Sequence, residues 1–214
     1  MAFELKSMSG QKVLITGGLG FIGSNLAIKC LELGAEVALF TDIITNTNNI
    51  KEIIGKVIII QGDITKYDEI AKAIKDKDII FHLAAQTSHT LAMENPLLDI
   101  DINLIGTMNV LEACRKTNPR AKIISLGTVT QAGIVNGIIN EDIKDEPIEI
   151  YSANKLICEK YFQIYSKVYG LYTSFLRLNT IYGERQRIDN PKRGIANFFI
   201  GRILRGEPIT IYGD

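Results

Sequence analysis

Histidine, cysteine and tryptophan are scarce in this chain: its 214 residues carry two histidines, three cysteines and no tryptophan. With only His82 and His89 available, a histidine-based metal site or a Ser-His-Asp triad is disfavoured, and no metal is expected. Cys30, Cys114 and Cys158 are odd in number, far apart and set in apolar helical patterns. They read as buried reduced thiols of a cytoplasmic protein. Long hydrophobic runs are lacking too: residues 57–60 are typical, strand-sized and far short of a bilayer span. Neither charge sign dominates, with 24 Lys and Arg against 24 Asp and Glu. Neither nucleic acid nor an anionic membrane is therefore an expected partner. Residues 1–10 hold no continuous apolar signal core and read as a frayed leader. What remains is a 46% hydrophobic chain, enough to bury one good core with the beginning of a second lobe.

Apolar strand-like runs alternate with helical periodicity along the whole chain. Residues 13–16, 36–40, 56–60, 79–83, 122–125 and 172–178 read as strands. Residues 20–33, 67–74, 96–116, 151–169 and 195–205 read as helices. Strands apolar on both faces and separated by helices specify an α/β fold, a doubly wound parallel sheet of the Rossmann type. Residues 46–49 and 140–147 are polar and read as loops. The basic, proline-containing stretch 183–194 reads as a loop over an active-site face.

The first strand runs straight into Gly17-Gly18-Leu19-Gly20-Phe21-Ile22-Gly23. Gly17 permits the tight strand-to-helix turn, Gly20 lets a pyrophosphate approach bare backbone, and Gly23 lets the helix pack close to the sheet. The free N–H groups at the helix start, at Phe21 and Ile22, and the positive dipole end then face the phosphates. Asp42 stands at the end of the second strand, 19 residues after Gly23. There a carboxylate accepts from an adenosine ribose and repels a 2′-phosphate, which argues for NAD over NADP; the alternative is a loop aspartate capping the next segment. Asp63 follows the third strand, where its carboxylate reaches the adenine amino group and Ile64 offers a backbone contact. Asp63 equally reads as a cap for the helix beginning near Lys66. Leu83, Ala84 and Ala85 end the fourth strand with side chains that let a cofactor lie against backbone. His82 reads as a packed core histidine. His89, in a polar loop, is within reach of a substrate but is not counted as a site residue.

Tyr151 and Lys155 stand four apart on a helix and so share a face. A phenol is a poor base at neutral pH, with an unperturbed pKa of about 10. A nearby ammonium and an oxidised nicotinamide favour the phenolate, which then removes a hydroxyl proton while the same carbon loses hydride.

Taken with Phe81-His82-Leu83-Ala84-Ala85-Gln86, Asn103 to Ala113, Arg177 to Gly183 and Gly206 to Asp214, these motifs carry a family resemblance. The chain resembles the extended short-chain dehydrogenase/reductases, in particular the NAD-dependent nucleotide-sugar epimerase/dehydratase group. The resemblance implies that Lys155 holds the nicotinamide ribose and that a hydroxyl after the fifth strand completes a triad. Aligning Gly133 with the glycine that closes the family's motif puts Thr128 in that slot, with Ser125 as the fallback. It gives Asn103 a structural role in holding the active-site backbone, and Gln86, Asn179 and Thr180 the substrate side. The family usually has asparagine where Thr180 stands. Family dehydratases and decarboxylases place acidic residues just after the catalytic threonine; here Val129 and Thr130 occupy those positions. The expected reaction is therefore 4-epimerisation of a nucleotide sugar through a transient 4-keto sugar, with a regulatory NAD-binding module or a dehydratase or reductase as alternatives. The resemblance also implies an NAD-binding domain over residues 1–180, the start of a substrate-binding region over 181–214 with its C-terminal lobe largely missing, and a homodimer paired through the helices at 96–116 and 151–169.

Overall fold

The computed structural model describes residues 6–44, 46–135, 137–140, 142–189 and 194–211. The first half of the stretch read as a leader (residues 1–5), the last three residues, residues 190–193 of the 183–194 loop and residue 141 of the 140–147 loop lie outside the described residues.

Six parallel strands form one sheet: β1 (Lys12–Thr16), β2 (Glu36–Thr41), β3 (Ile58–Gln61), β4 (Ile79–His82), β5 (Lys122–Thr128) and β6 (Tyr172–Leu178). Their order is β3-β2-β1-β4-β5-β6. The direction of winding therefore reverses between β1 and β4, and a crevice opens there at the carboxyl ends of the strands. The helices are α1 (Phe21–Glu32), α2 (Tyr67–Ile74), α3 (His89–Glu94), α4 (Pro96–Asp99), α5 (Gly106–Thr117), α6 (Ile150–Tyr169) and α7 (Ile195–Leu204).

Alternation along β1 and β2 feeds two cores. Leu14, Ala38 and Phe40 point to one face, where they pack with Ile70 and Ile74 of α2, Val110 and Leu111 of α5 and Phe162 of α6. Val13, Ile15, Val37 and Leu39 point to the other face and meet Ala27 and Cys30 of α1. Each fully buried branched or aromatic side chain contributes about 1.5–3 kcal/mol, so the sheet is held from both sides. All three cysteines are buried and free.

Helix ends follow local chemistry. The Glu149 carboxylate accepts from the N–H groups of Tyr151 and Ser152 and starts α6, and Gly170 at φ +71° ends it. Asn95 caps α4, with Pro96 in its first turn.

The sequence pattern reads 96–116 as one helix. The chain there is α4, a π-helical stretch Ile100–Ile105 and α5, end to end. Asp99 and Asn103, four apart and so on one face, are both buried. Helix α3 has no counterpart in the sequence reading because six residues are too few for a period to register. β3 begins two residues later than expected, and β5 runs on to Thr128 through its pairing with β6.

Candidate active site

The glycine turn is built by close backbone contact. Gly17 has φ +69° and donates its N–H to the Phe40 carbonyl at 2.8 Å. A Cβ there would lie 2.9 Å from the Ala84 nitrogen, and one on Gly23 would lie 2.4 Å from the Gly17 carbonyl oxygen. No side chain fits at either place. The Thr16 hydroxyl oxygen accepts from the N–H groups of both Leu83 and Ala84 at 3.0 Å, joining the end of β4 to the turn. Gly17 thus stands against Leu83 and Ala84, which Ala85 follows, at the β1/β4 crevice, and Gly20, Phe21, Ile22 and Gly23 lead from it into α1. This narrow, side-chain-free cradle under a helix start fits a dinucleotide pyrophosphate.

Asp42 lies just past β2 and is exposed. Asp63 does not cap α2, whose N-cap is Lys66 with no side-chain cap bond; its Oδ1 accepts from the Thr65 N–H at 2.8 Å in the turn before the helix. The Ile64 carbonyl accepts from the Asn109 amide at 2.9 Å, and the Ile64 side chain is buried beneath Gly106.

Under the crevice runs a buried polar strip whose protons can be placed. Thr16 Oγ1 already accepts two backbone donors, so its own proton goes to His82 Nδ1 at 3.0 Å. His82 Nε2 then carries the ring proton and donates to Thr107 Oγ1 at 3.0 Å. Burial, with the Lys155 charge as a second cause, pushes the His82 pKa down to about 3. The imidazole is neutral, a core histidine as expected.

Asn103 clamps the backbone of Gln86, accepting from its N–H and donating to its carbonyl, both at 3.0 Å. The Gln86 amide nitrogen in turn donates to Asp99 Oδ2 at 2.8 Å and to the Ser88 carbonyl at 2.9 Å. The other oxygen of Asp99 accepts from the Asn154 amide at 2.7 Å. The Gln86 side chain, expected on the substrate side, is buried, with its donors taken by Asp99 and the Ser88 carbonyl.

Tyr151 and Lys155 lie in the first two turns of α6, 9% and 7% exposed. Burial is the first cause that lowers the Lys155 pKa, while the neighbouring Cys158 and Asp99 act to raise it. The expectation of a loosened phenol is reversed in the protein alone. Burial, then Asp99 and Glu149, push the Tyr151 pKa up to about 12. The His89 ring stands edge-on to the Tyr151 ring at 4.7 Å, and its Nδ1 lies 3.1 Å from Glu149. The start of α3 therefore brings His89 to the phenol.

Thr128 ends β5 and caps a 3₁₀ turn, Val129–Ala132. Its hydroxyl lies 2.9 Å from that of Thr130. Thr130 bonds Ser152, and Ser152 bonds Glu149, so a run of hydroxyls connects Thr128 to the N-terminus of α6. Gln131 accepts from the Thr128 N–H at 3.0 Å and donates to Glu159 at 2.8 Å; Glu159 pairs with Arg177 at 2.7 Å. Ser125, the fallback, is buried and donates to the His82 carbonyl at 2.8 Å. Asn179 and Thr180 are exposed beyond β6, where the Thr180 N–H donates to Asn179 Oδ1 at 2.7 Å. Sequence reasoning missed Asp99, Glu149, Gln131 and Glu159. Only Thr128-x-x-Gln131 carried a readable signal, the capping-box spacing.

A model of the NAD dependent epimerase/dehydratase family matches residues 13–214. The chain belongs to that family. Among curated members, it is 35% identical over 211 residues to a putative UDP-glucose 4-epimerase of Methanocaldococcus jannaschii, covering 94% of this chain and 66% of the relative. It is 30% identical to UDP-glucuronate 4-epimerase 1 of Arabidopsis thaliana, covering 98% of this chain and 50% of that one. Among solved structures, a UDP-N-acetylglucosamine 4-epimerase from Methanobrevibacter ruminantium in complex with UDP-N-acetylmuramic acid superposes with a TM-score of 0.90. The two are 31% identical, over 97% of this chain and 67% of that one. The UDP-glucose 4-epimerase of Thermus thermophilus, in complex with NAD, gives a TM-score of 0.84 at 32% identity, over 94% and 65%. This epimerase/dehydratase family member thus spans about half to two thirds of the length of the curated relatives named here. The family's cofactor is NAD, and the glycine cradle at the β1/β4 crevice fits it.

Proposed function

We propose that this chain carries the NAD-binding and catalytic part of a nucleotide-sugar 4-epimerase. The observation that carries the reading is the meeting of β5 and α6: Thr128 is linked through Thr130 and Ser152 to the helix turn that bears Tyr151, with Lys155 one turn further in. Bound NAD would supply the hydride acceptor and donor. Gly17, Gly20, Phe21, Ile22 and Gly23 hold its pyrophosphate. Asp42 receives the adenosine ribose, Asp63 and Ile64 the adenine, and Leu83, Ala84 and Ala85 let the remainder lie against backbone. Lys155 holds the nicotinamide ribose and keeps a positive charge beside the reacting centre. Tyr151 moves the proton at the sugar hydroxyl, and Thr128 positions that oxygen. With its pKa pushed up to about 12 by burial, Asp99 and Glu149, the phenol of the chain alone holds its proton at neutral pH. Asn179 and Thr180 face the sugar from beyond β6. Gln86 acts as a positioning residue beneath the site.

No carboxylate follows Thr128, since Val129 and Thr130 stand there, which favours epimerisation over dehydration. The division into an NAD-binding part over 1–180 and a substrate-binding part over 181–214 follows the same reading. Exposed Ile105 on the π-helical stretch and Ile157, Ile164 and Val168 on α6 favour a homodimer. The three free buried thiols suit a cytoplasmic protein. Among the described residues, no helix is long and apolar enough to cross a membrane.

The test is to load the protein with NAD and mix it with UDP-, GDP-, CDP- and dTDP-sugars, following reduced nicotinamide and the epimer formed. Tyr151→Phe should slow the exchange by about 10²–10⁴-fold and leave NAD affinity unchanged. Unchanged exchange in that variant would remove Tyr151 from the mechanism.

A further inference from the structure

One non-glycine residue among those described has a left-handed backbone: Arg185, at φ +70°. It lies in the segment that leaves β6 and makes contacts far away in sequence. Its Nη1 donates to Asn25 Oδ1 on α1 at 2.9 Å, and its Nη2 lies 3.5 Å from Glu52. The Asn25 amide nitrogen donates to the Glu184 carbonyl at 3.0 Å and to the Phe21 carbonyl at 2.9 Å. Asn25 thereby grips both the strap residue and the first turn of its own helix. A Cβ on Gly183 would stand 3.6 Å from the Phe21 ring, so the chain rests directly on the helix start. Asn197 of α7, buried, donates to the Gly183 carbonyl at 3.0 Å and steadies the segment from its other side.

The route of this segment is forced by the topology. β6 is an edge strand, three strand spacings from β1, a distance of about 14 Å. Four residues lie between Leu178 and Gly183, and those five steps of extended chain reach about 17 Å. Residues 179–183 must therefore run nearly straight across the carboxyl ends of β5 and β4 to reach α1. They cross the β1/β4 crevice, above the glycine cradle.

We propose that Arg185 and Asn25 form a latch that holds residues 179–185 closed across the dinucleotide crevice and sets how fast NAD is released. The inference rests on the dinucleotide reading of the cradle and adds to it a residue that no phosphate-binding motif contains. The left-handed backbone at Arg185 accompanies the turn of its guanidinium back toward α1. In this arrangement the strap opens for the cofactor to enter or leave, and the two Asn25–strap hydrogen bonds break together.

The experiment measures displacement of bound NAD by labelled NAD in the wild-type chain, Asn25→Ala, Arg185→Ala and Arg185→Gly. Each variant should release NAD tenfold faster or more, and Asn25→Ala combined with Arg185→Ala should be no faster than the quicker single variant. Arg185→Gly gives a second readout. Glycine adopts the left-handed backbone freely, so its melting temperature should hold or rise while NAD leaves faster. A purely structural role would move both in the same direction. Release within twofold of wild type in Asn25→Ala and Arg185→Gly overturns the latch and leaves the dinucleotide site standing. Failure of the wild-type chain to bind NAD at all overturns the site and the latch with it.

Discussion

The two ends of the crevice are made of different material. On the β1–α1 side the site is backbone: bare glycines, helix N–H groups and the ends of strands. On the β5–α6 side it is side chains, and each is held by further side chains: Asn103 on Gln86, Gln86 on Asp99, Gln131 on Thr128, Glu149 on the start of α6. A backbone site has little room to give, because its walls cannot rotate away. A side-chain site degrades in steps as individual supports are removed. Substitutions on the two sides should therefore differ in kind.

The largest effect is expected at Gly23. A methyl group there would lie 2.4 Å from the Gly17 carbonyl oxygen and 2.8 Å from the Gly18 Cα, both of them backbone. Gly23→Ala must displace the turn, and NAD affinity measured by titration calorimetry should fall on the order of a hundredfold. An affinity within threefold of wild type would show that the cradle has slack, and the contrast between the two sides would disappear.

Next comes the acid response of the buried strip. His82 has a folded-state pKa of about 3 against an ordinary 6.5, so between those values the unfolded chain binds a proton that the folded one refuses. Stability therefore falls as pH drops through that window, by on the order of 4 kcal/mol at its foot. Urea unfolding at stepped pH should trace the fall, and His82→Asn should flatten it. A midpoint independent of pH between 6.5 and 4 in the wild type would mean that the imidazole is not held neutral.

How much of this was legible depends on which material carries the signal. Glycine is required where backbone touches backbone, so Gly17 and Gly23 announce the cradle in one short stretch, and alternation of Val, Leu and Ile announces β1 and β2. The Tyr151/Lys155 spacing was equally visible. The supports were not. Asp99 and Asn103, four apart, share a helix face, but Gln86 lies 13 residues before Asp99, beyond the end of β4, and no local pattern foretells that the fold brings its side chain to that carboxylate. The sign of the Tyr151 shift was also beyond a local reading. It depends on burial and on Asp99, whose position is set by the fold.

Asn103 offers a sharper test on the side-chain end. Replacing it by Ala strands the Gln86 N–H and carbonyl, both buried, at roughly 1–3 kcal/mol of stability for each group left unpaired. Activity should fall with it, because the Gln86 backbone lies directly after the strand end that flanks the cofactor. Asn103→Asp keeps the acceptor and loses the donor, so it should lie between the wild type and the alanine variant in urea unfolding. Equal losses for the two variants would mean that only one of the two bonds matters.

The smallest effect is expected at the N-cap of α6, where it isolates what a single support does. Glu149 accepts from the N–H groups of Tyr151 and Ser152 at 2.9 and 2.8 Å, and its charge lies at the positive end of a 20-residue helix. Glu149→Gln retains an acceptor and removes the charge, so stability should drop by only about 0.5–1 kcal/mol. The charge has a second role that stability does not report. It raises the Tyr151 pKa, behind burial and Asp99, so its removal should bring the phenol down. Titration of Tyr151 by ultraviolet difference absorbance, with Tyr151→Phe as the blank, reads that shift directly. A lower phenol pKa at nearly unchanged stability is the expected outcome. A large loss of stability with no movement of the phenol would make Glu149 a cap and nothing more, and the side-chain end of the crevice would then be tuned by burial and Asp99 alone.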